Sequence, residues 1–141
     1  MILDSIIITP LKIIDVEGGN VFHVLKQSDA EFFGFGECYF SSINKNAIKA
    51  WKRHKKMTMN LVVPIGNVNF TFFSSDLSKC KSIIAGENNY QRITVPPMTW
   101  FGFQGISEGN NLILNIADIS HDPDEVERID IKAIQYNWSN L

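Results

Sequence analysis

The sequence predicts an all-β single domain, and three observations carry that prediction. Apolar residues recur mainly with a period of two, the apolar runs are short, and clusters of Gly, Pro, Asn and Asp separate them. The 141 residues leave room for one domain, and 45% hydrophobic content with 11% aromatic is enough to fill a sizeable core. No internal repeat, low-complexity stretch or linker interrupts the pattern. About seven to nine short strands of this kind bury their apolar faces most economically by closing into a barrel or a sandwich.

The elements follow in order. Leu11 to Ile14 and Gly19 to Leu25 are short apolar runs around Asp15-Val16-Glu17-Gly18-Gly19, whose adjacent glycines suit a hairpin turn. Gly36 to Phe40 reads as a strand. Ala47 to His54 and Pro96 to Phe103 each sit on β-type sequence, with Trp100 expected in the turn after Pro96-Pro97. Thr58 to Val63 and Val68 to Phe73 flank Pro64-Ile65-Gly66-Asn67, a hairpin with proper turn residues. Asp76 to Ala85 reads as a short helix or an irregular excursion. Ile93 to Val95 and Leu112 to Ile116 complete the set. The apolar Ile6 to Ile14 segment is more than a lone barrel of this size can cover, so a homodimer through the N-terminal half is expected.

Charge excludes several partner classes. Thirteen basic and fifteen acidic residues are interspersed, giving a net charge of −2 and no general case for nucleic acid or an anionic membrane as partner. Lys49, Lys52, Arg53, Lys55 and Lys56 form the one dense basic cluster in the sequence. Such a patch suits one small anionic ligand, or it is a solvated strand edge that discourages aggregation. Cys38 and Cys80 lack metal spacing and predict reduced thiols. Ile6-Ile7-Ile8 lacks the basic flank and length of a signal peptide, and no run approaches a membrane span, so a cytoplasmic location is expected.

Five segments carry a family resemblance: Glu37-Cys38-Tyr39-Phe40-Ser41, Ile48 to His54, Asn60 to Gly66, Pro96 to Phe103, and His121 to Arg128. In register and over nearly the whole chain, they resemble a short branch of the dTDP-4-dehydrorhamnose 3,5-epimerase family. The resemblance implies a cupin, that is, a jelly-roll barrel or double-stranded β-helix. It also implies a dimer and metal-independent chemistry on a nucleotide-linked 4-keto sugar in surface-polysaccharide biosynthesis. Members of that family use a histidine base beside the keto group, a tyrosine acid opposite, an aspartate that orients the histidine, and basic residues for the diphosphate. The logic is that a carbon acid needs a base tuned near neutral pH and a stabilised enolate oxygen.

By the resemblance, the base position falls on Lys52 and the phosphate-contacting position on Lys49, which keeps its charge but not the planar fork of arginine. A histidine that precedes Gly-Phe in the family is Phe101 here, and the tyrosine acid falls on Asn115. The sequence ends at Leu141, soon after Tyr136-Asn137-Trp138, without the stretch that carries the family's orienting aspartate. His54 is then a candidate displaced base, paired with Lys52 or with a carboxylate such as Glu37. Its bland alternative is a strand histidine bonded to a neighbour. An unbroken strand puts Lys52 and His54 on one face and Lys49 with Arg53 on the other, so Lys49 and Lys52 share a pocket only if a bulge or bend intervenes.

Arg53 and Asn60 join the candidate binding set. Trp51, Trp100, Phe101, Phe103 and Tyr39 are either barrel core or stacking surfaces for a base or sugar ring, with Trp100 at the barrel mouth the best placed to meet a ligand. Metal-binding cupins take a histidine pair spaced by one residue, a carboxylate and a later histidine. Lys52-Arg53-His54 keeps one of that pair and Phe101 takes the last position, so no metal or other cofactor is expected. The acidic run His121 to Arg128 lacks the glycine and spacing of a calcium loop and is expected to cap a turn or lie at a subunit edge. Two functions stay open: an epimerase or isomerase of nucleotide-linked keto sugars with a rearranged acid-base set, or a binding or scaffolding cupin that has lost turnover.

Overall fold

The computed structural model describes residues 3–139. Its strands are β1 (Ile7–Pro10), β2 (Ile13–Ile14), β3 (Val21–Phe22), β4 (Glu37–Ile43), β5 (Ile48–His54), β6 (Met59–Ile65), β7 (Asn67–Phe73), β8 (Cys80–Gly86), β9 (Gln91–Val95), β10 (Trp100–Gly105), β11 (Asn111–Ala117) and β12 (Val126–Arg128). Two five-stranded antiparallel sheets, ordered β1-β9-β6-β11-β4 and β12-β5-β10-β7-β8, form the jelly-roll barrel. Strands β2 and β3 are the separate N-terminal hairpin foreseen from the paired glycines. The core lies between the sheets, where Met59, Leu61 and Val63 of β6 meet Phe70 and Phe72 of β7, with Ile93, Val95, Ile113 and Phe101 around them. A second apolar cluster of Trp51, Phe73, Trp100, Ile134 and Trp138 backs the β5-β10-β7 sheet.

Three expectations are corrected. Residues 80–86, at the end of the Asp76 to Ala85 stretch, form β8 rather than helix, because the segment pairs along its whole length with the fully buried β7. Trp100 opens β10 instead of sitting in the preceding turn, and it is buried. Neither β1 nor the three-residue β12 is among the strands read from the sequence. Each is short and is fixed by its neighbour, β9 in one case and β5 in the other.

The most consequential irregularity lies where β5 meets β10. Phe101 pairs with Lys52 and Gly102 with Ala50, so Trp51 is an extra residue in the ladder. It exchanges backbone hydrogen bonds with Ile129 instead. Gly102 is required opposite this bulge, since a Cβ there would lie 2.6 Å from the Cβ of Ala50 and 3.1 Å from ring carbons of Trp51. With one residue added between them, Lys49 and Lys52 come to the same side of β5.

Candidate active site

A cavity of about 400 Å³ opens between the sheets, within the range of small-molecule sites. One wall is Tyr39 and Ser41 of β4 with Ile113 and Asn115 of β11; the other is Lys49 and Lys52 of β5 with Phe101 and Phe103 of β10. Met59, Leu61 and Phe70 add apolar surface, and Arg128 with Ile129 line the side formed by β12. The strands explain these directions. Alternation along β11 buries Asn111, Ile113, Asn115 and Ala117, and the register sets Tyr39 directly opposite Asn115. The Asn115 amide donates to the Tyr39 hydroxyl at 3.1 Å, while Asn115 Oδ1 is buried without a partner.

Cations dominate the opposite wall. The Lys49 ammonium donates to the Ser42 carbonyl at 2.9 Å. Among the described residues no carboxylate forms an ion pair with Lys49, Lys52 or Arg128. Burial pushes the Lys52 ammonium pKa below its usual value of 10.5, and the nearby Arg128 guanidinium pushes it further, against a smaller opposing pull from Glu125. The arrangement therefore supplies a partly desolvated amine, two further positive charges, a phenol and an amide around an apolar chamber.

His54 lies beside this chamber and does not line it. Its ring stacks on Phe101 with centroids 6.0 Å apart, and it is almost fully buried. His54 Nδ1 and Glu125 Oε2 are 2.7 Å apart. Glu125 also accepts from the backbone N–H of Lys56 at 3.1 Å and of Met57 at 2.8 Å. Burial favours the neutral imidazole and lowers its pKa, partly countered by the hydrogen bond and charge of Glu125, with Lys52 and Arg128 lowering it further. For Glu125, burial acts upward but is outweighed by the hydrogen bonds it accepts, so the carboxyl stays below its usual value. An ionised carboxylate only accepts, so Nδ1 carries the proton and Nε2 holds a lone pair, buried and unpartnered.

The sequence-derived candidates thus divide. Lys49, Lys52, Phe101 and Asn115 meet at the cavity, and His54 sits next to it. Arg53 does not enter: it points to the other side of the sheet, where it pairs with Glu127 and lies 4.5 Å above the Trp100 ring. Trp100 packs in the outer aromatic cluster. Asn60 faces away from the chamber, accepting from Thr94 and donating to the Glu31 carbonyl. The carboxylate on His54 is Glu125, not Glu37. The acidic run does cap a turn, since the Asp122 side chain accepts from Asp124 N at the start of the 3-10 turn Pro123–Glu125. The same turn delivers Glu125 to the barrel. Sequence reasoning gave Tyr39 only a stacking role and Arg128 none. Pairing β4 with β11 in register would have revealed the phenol. Among the described residues, no three His, Cys, Asp or Glu side chains converge as a metal cage would require.

No protein-family model matches the chain. A curated relative, a probable low-salt glycan biosynthesis epimerase of Haloferax volcanii, is 30% identical over 112 residues, which span 72% of this chain and 71% of the relative. The crystal structure of a dTDP sugar isomerase from Desulfovibrio desulfuricans G20 superposes with a TM-score of 0.91 at 31% identity, covering 98% of this chain and 93% of that one. A sugar 3,4-ketoisomerase from Thermoanaerobacterium thermosaccharolyticum, solved with TDP, shares the fold with a TM-score of 0.78 at 19% identity, covering 94% of each chain. The barrel, its cavity and these two relatives at about a third identity converge on one conclusion: the chain belongs to the cupin family of dTDP-4-dehydrorhamnose 3,5-epimerases and related dTDP-sugar isomerases.

Proposed function

We propose that this protein is an epimerase or isomerase of a nucleotide-linked 4-keto-6-deoxy sugar, acting in surface-glycan biosynthesis as a cytoplasmic homodimer. One observation carries the reading: unpaired Lys52 and Arg128 face the Tyr39–Asn115 pair across an apolar chamber of about 400 Å³. Lys52 is half-buried and Arg128 exposed at the rim, and neither has a carboxylate partner, so this wall presents uncompensated positive charge that suits an anionic ligand. Lys49 and Arg128 take the diphosphate, and Lys52, whose ammonium is weakened by burial, attends the keto group. Asn115 alone cannot deliver a proton, but the phenol it orients can, so acid-base work does not depend on Asn115. His54, held by Glu125, stiffens the end of β5 behind Lys52.

The dimer rests on the unpaired edge of β1 and on apolar side chains exposed near it and near β4: Ile7, Ile13, Phe33, Phe35 and Phe40. The direct test incubates the protein with dTDP-4-keto-6-deoxyglucose and follows the sugar by proton NMR. A new keto-sugar isomer is expected. Calorimetric binding of the nucleotide sugar with no product would instead favour a binding cupin, and no binding would remove the reading.

A further inference from the structure

The base position of this barrel holds a primary amine, and a primary amine beside a ketone has a route that imidazole lacks. We infer that Lys52 forms a covalent imine with the keto carbon of its substrate, so that the protein runs its isomerisation through an iminium and an enamine. This deepens the function proposed above and rests on it.

Three placements carry the inference. Lys52 lines the chamber, has no carboxylate partner, and stands opposite Phe101 in the β5–β10 ladder. Arg128 pairs with Lys52 across β12 and β5 and lines the same chamber, so a second cation sits beside the amine. A desolvated lysine next to a second cation is the setting in which an amine is free to attack a carbonyl. On the opposite wall the Tyr39 hydroxyl is held by Asn115, within the same chamber. The burial that weakens the Lys52 ammonium agrees with this arrangement.

The chemistry balances with these groups alone. The Lys52 nitrogen lone pair attacks the keto carbon, and a proton passes from nitrogen to the former carbonyl oxygen to give a neutral carbinolamine. Tyr39 protonates that hydroxyl, the C–O bond breaks, water leaves, and an iminium faces a tyrosinate. The tyrosinate removes the proton from the adjacent carbon, and the C–H electron pair flows to nitrogen as a neutral enamine. A water molecule protonates the enamine carbon from the face opposite Tyr39, and the hydroxide so formed adds to the iminium carbon. The carbinolamine collapses, its hydroxyl proton passing to nitrogen, to give the epimerised ketone and the free amine with Tyr39 restored as the phenol. No negative oxygen develops on the sugar. The nitrogen serves as the electron sink.

The experiment uses the full chain with dTDP-4-keto-6-deoxyglucose and sodium cyanoborohydride, read by intact-protein mass spectrometry and peptide mapping, with calorimetry for binding. One reduced adduct per chain on Lys52 is expected. It should disappear in Lys52→Arg, slow in Tyr39→Phe, and persist in Lys81→Arg, which lies outside the chamber; melting curves confirm that each variant is folded. Binding without an adduct on Lys52, or with adducts scattered over surface lysines, would overturn the imine while leaving the proposed isomerase standing. Absence of binding would overturn both.

Discussion

Two polar clusters lie on either side of the β6 sheet, and they are built by opposite rules. On the outer side, Arg92 is 2% exposed. Its guanidinium donates to the Val24 carbonyl at 2.6 Å and to Glu31 at 2.8 Å, and it pairs with Asp29 at 3.3 Å. Asn60 and Thr94 close the network through the Glu31 backbone and each other. On the inner side, Lys52 and Arg128 have no carboxylate partner, and Asn115 Oδ1 is buried without a hydrogen-bond partner. On the outer side the cation is met by carboxylates, with Nε of Arg92 left unpartnered, and the network fastens the segment before β4 onto the barrel. Cations without a carboxylate, beside a chamber of ligand size, mark the place where an anionic ligand completes the pairing.

The comparison can be broken by substitution. Arg92→Met should be the most damaging change, costing about 2–4 kcal/mol because it removes the buried donor that holds the Val24 carbonyl, Asp29 and Glu31 and so frees the 23–33 segment; urea unfolding measures it. Glu125→Ala should cost about 2–4 kcal/mol, since it leaves the Met57 and Lys56 amides and His54 Nδ1 without their acceptor. Lys52→Met should do the reverse of Arg92→Met, leaving stability unchanged or raised by about 1 kcal/mol while removing activity. A loss of stability as large as that of Arg92→Met would show that Lys52 is structural after all.

A pH titration of stability sharpens the same contrast at smaller amplitude. His54 is held neutral, with a folded-state pKa below its ordinary value of 6.5. The unfolded chain therefore binds the extra proton first as pH falls. The stability due to His54 is complete above the ordinary imidazole value and is lost progressively below it, down to the folded-state pKa. Melting temperatures should decline from neutrality into mildly acid buffer, and His54→Gln should flatten that slope. The smallest effect is expected from Lys49→Ala, which should weaken dTDP binding by about tenfold or less and reduce its salt dependence. Calorimetry at two salt concentrations reads both.

Much of this division was visible in the sequence, and the failures have physical causes. The requirement for a bulge between Lys49 and Lys52 follows from the period-two rule once both are asked to face one pocket, and the ladder skips Trp51 as that argument demands. The face of Asn60 was not fixed by local pattern, because residues 59–63 of β6 are buried on both faces and alternation carries no contrast there. Arg53, by contrast, entered the binding set through the basic cluster although period two already set it opposite Lys52. Glu125 was illegible for a different reason. It reaches His54 from a three-residue turn 71 positions away, and no periodicity marks so short an element. Tyr39 was hidden by its residue type, since a strand tyrosine reads as packing until its partner strand is known. β8 escapes the pattern because polarity does not follow its faces: apolar Ile84 is exposed, while Lys81 shares the inward-facing side with Ile83 and Ala85.

The central claim is that the unsatisfied inner cluster, with Lys52 at its centre, is the reactive site. Its most direct test is deuterium wash-in from heavy water into C3 and C5 of bound dTDP-4-keto-6-deoxyglucose, followed by NMR in the wild type and in Lys52→Met. Exchange at one or both carbons is predicted for the wild type, falling by about a hundredfold or more in the variant, with its melting temperature preserved. Equal exchange in the two proteins, or none in a wild type that binds the sugar nucleotide, would contradict the claim.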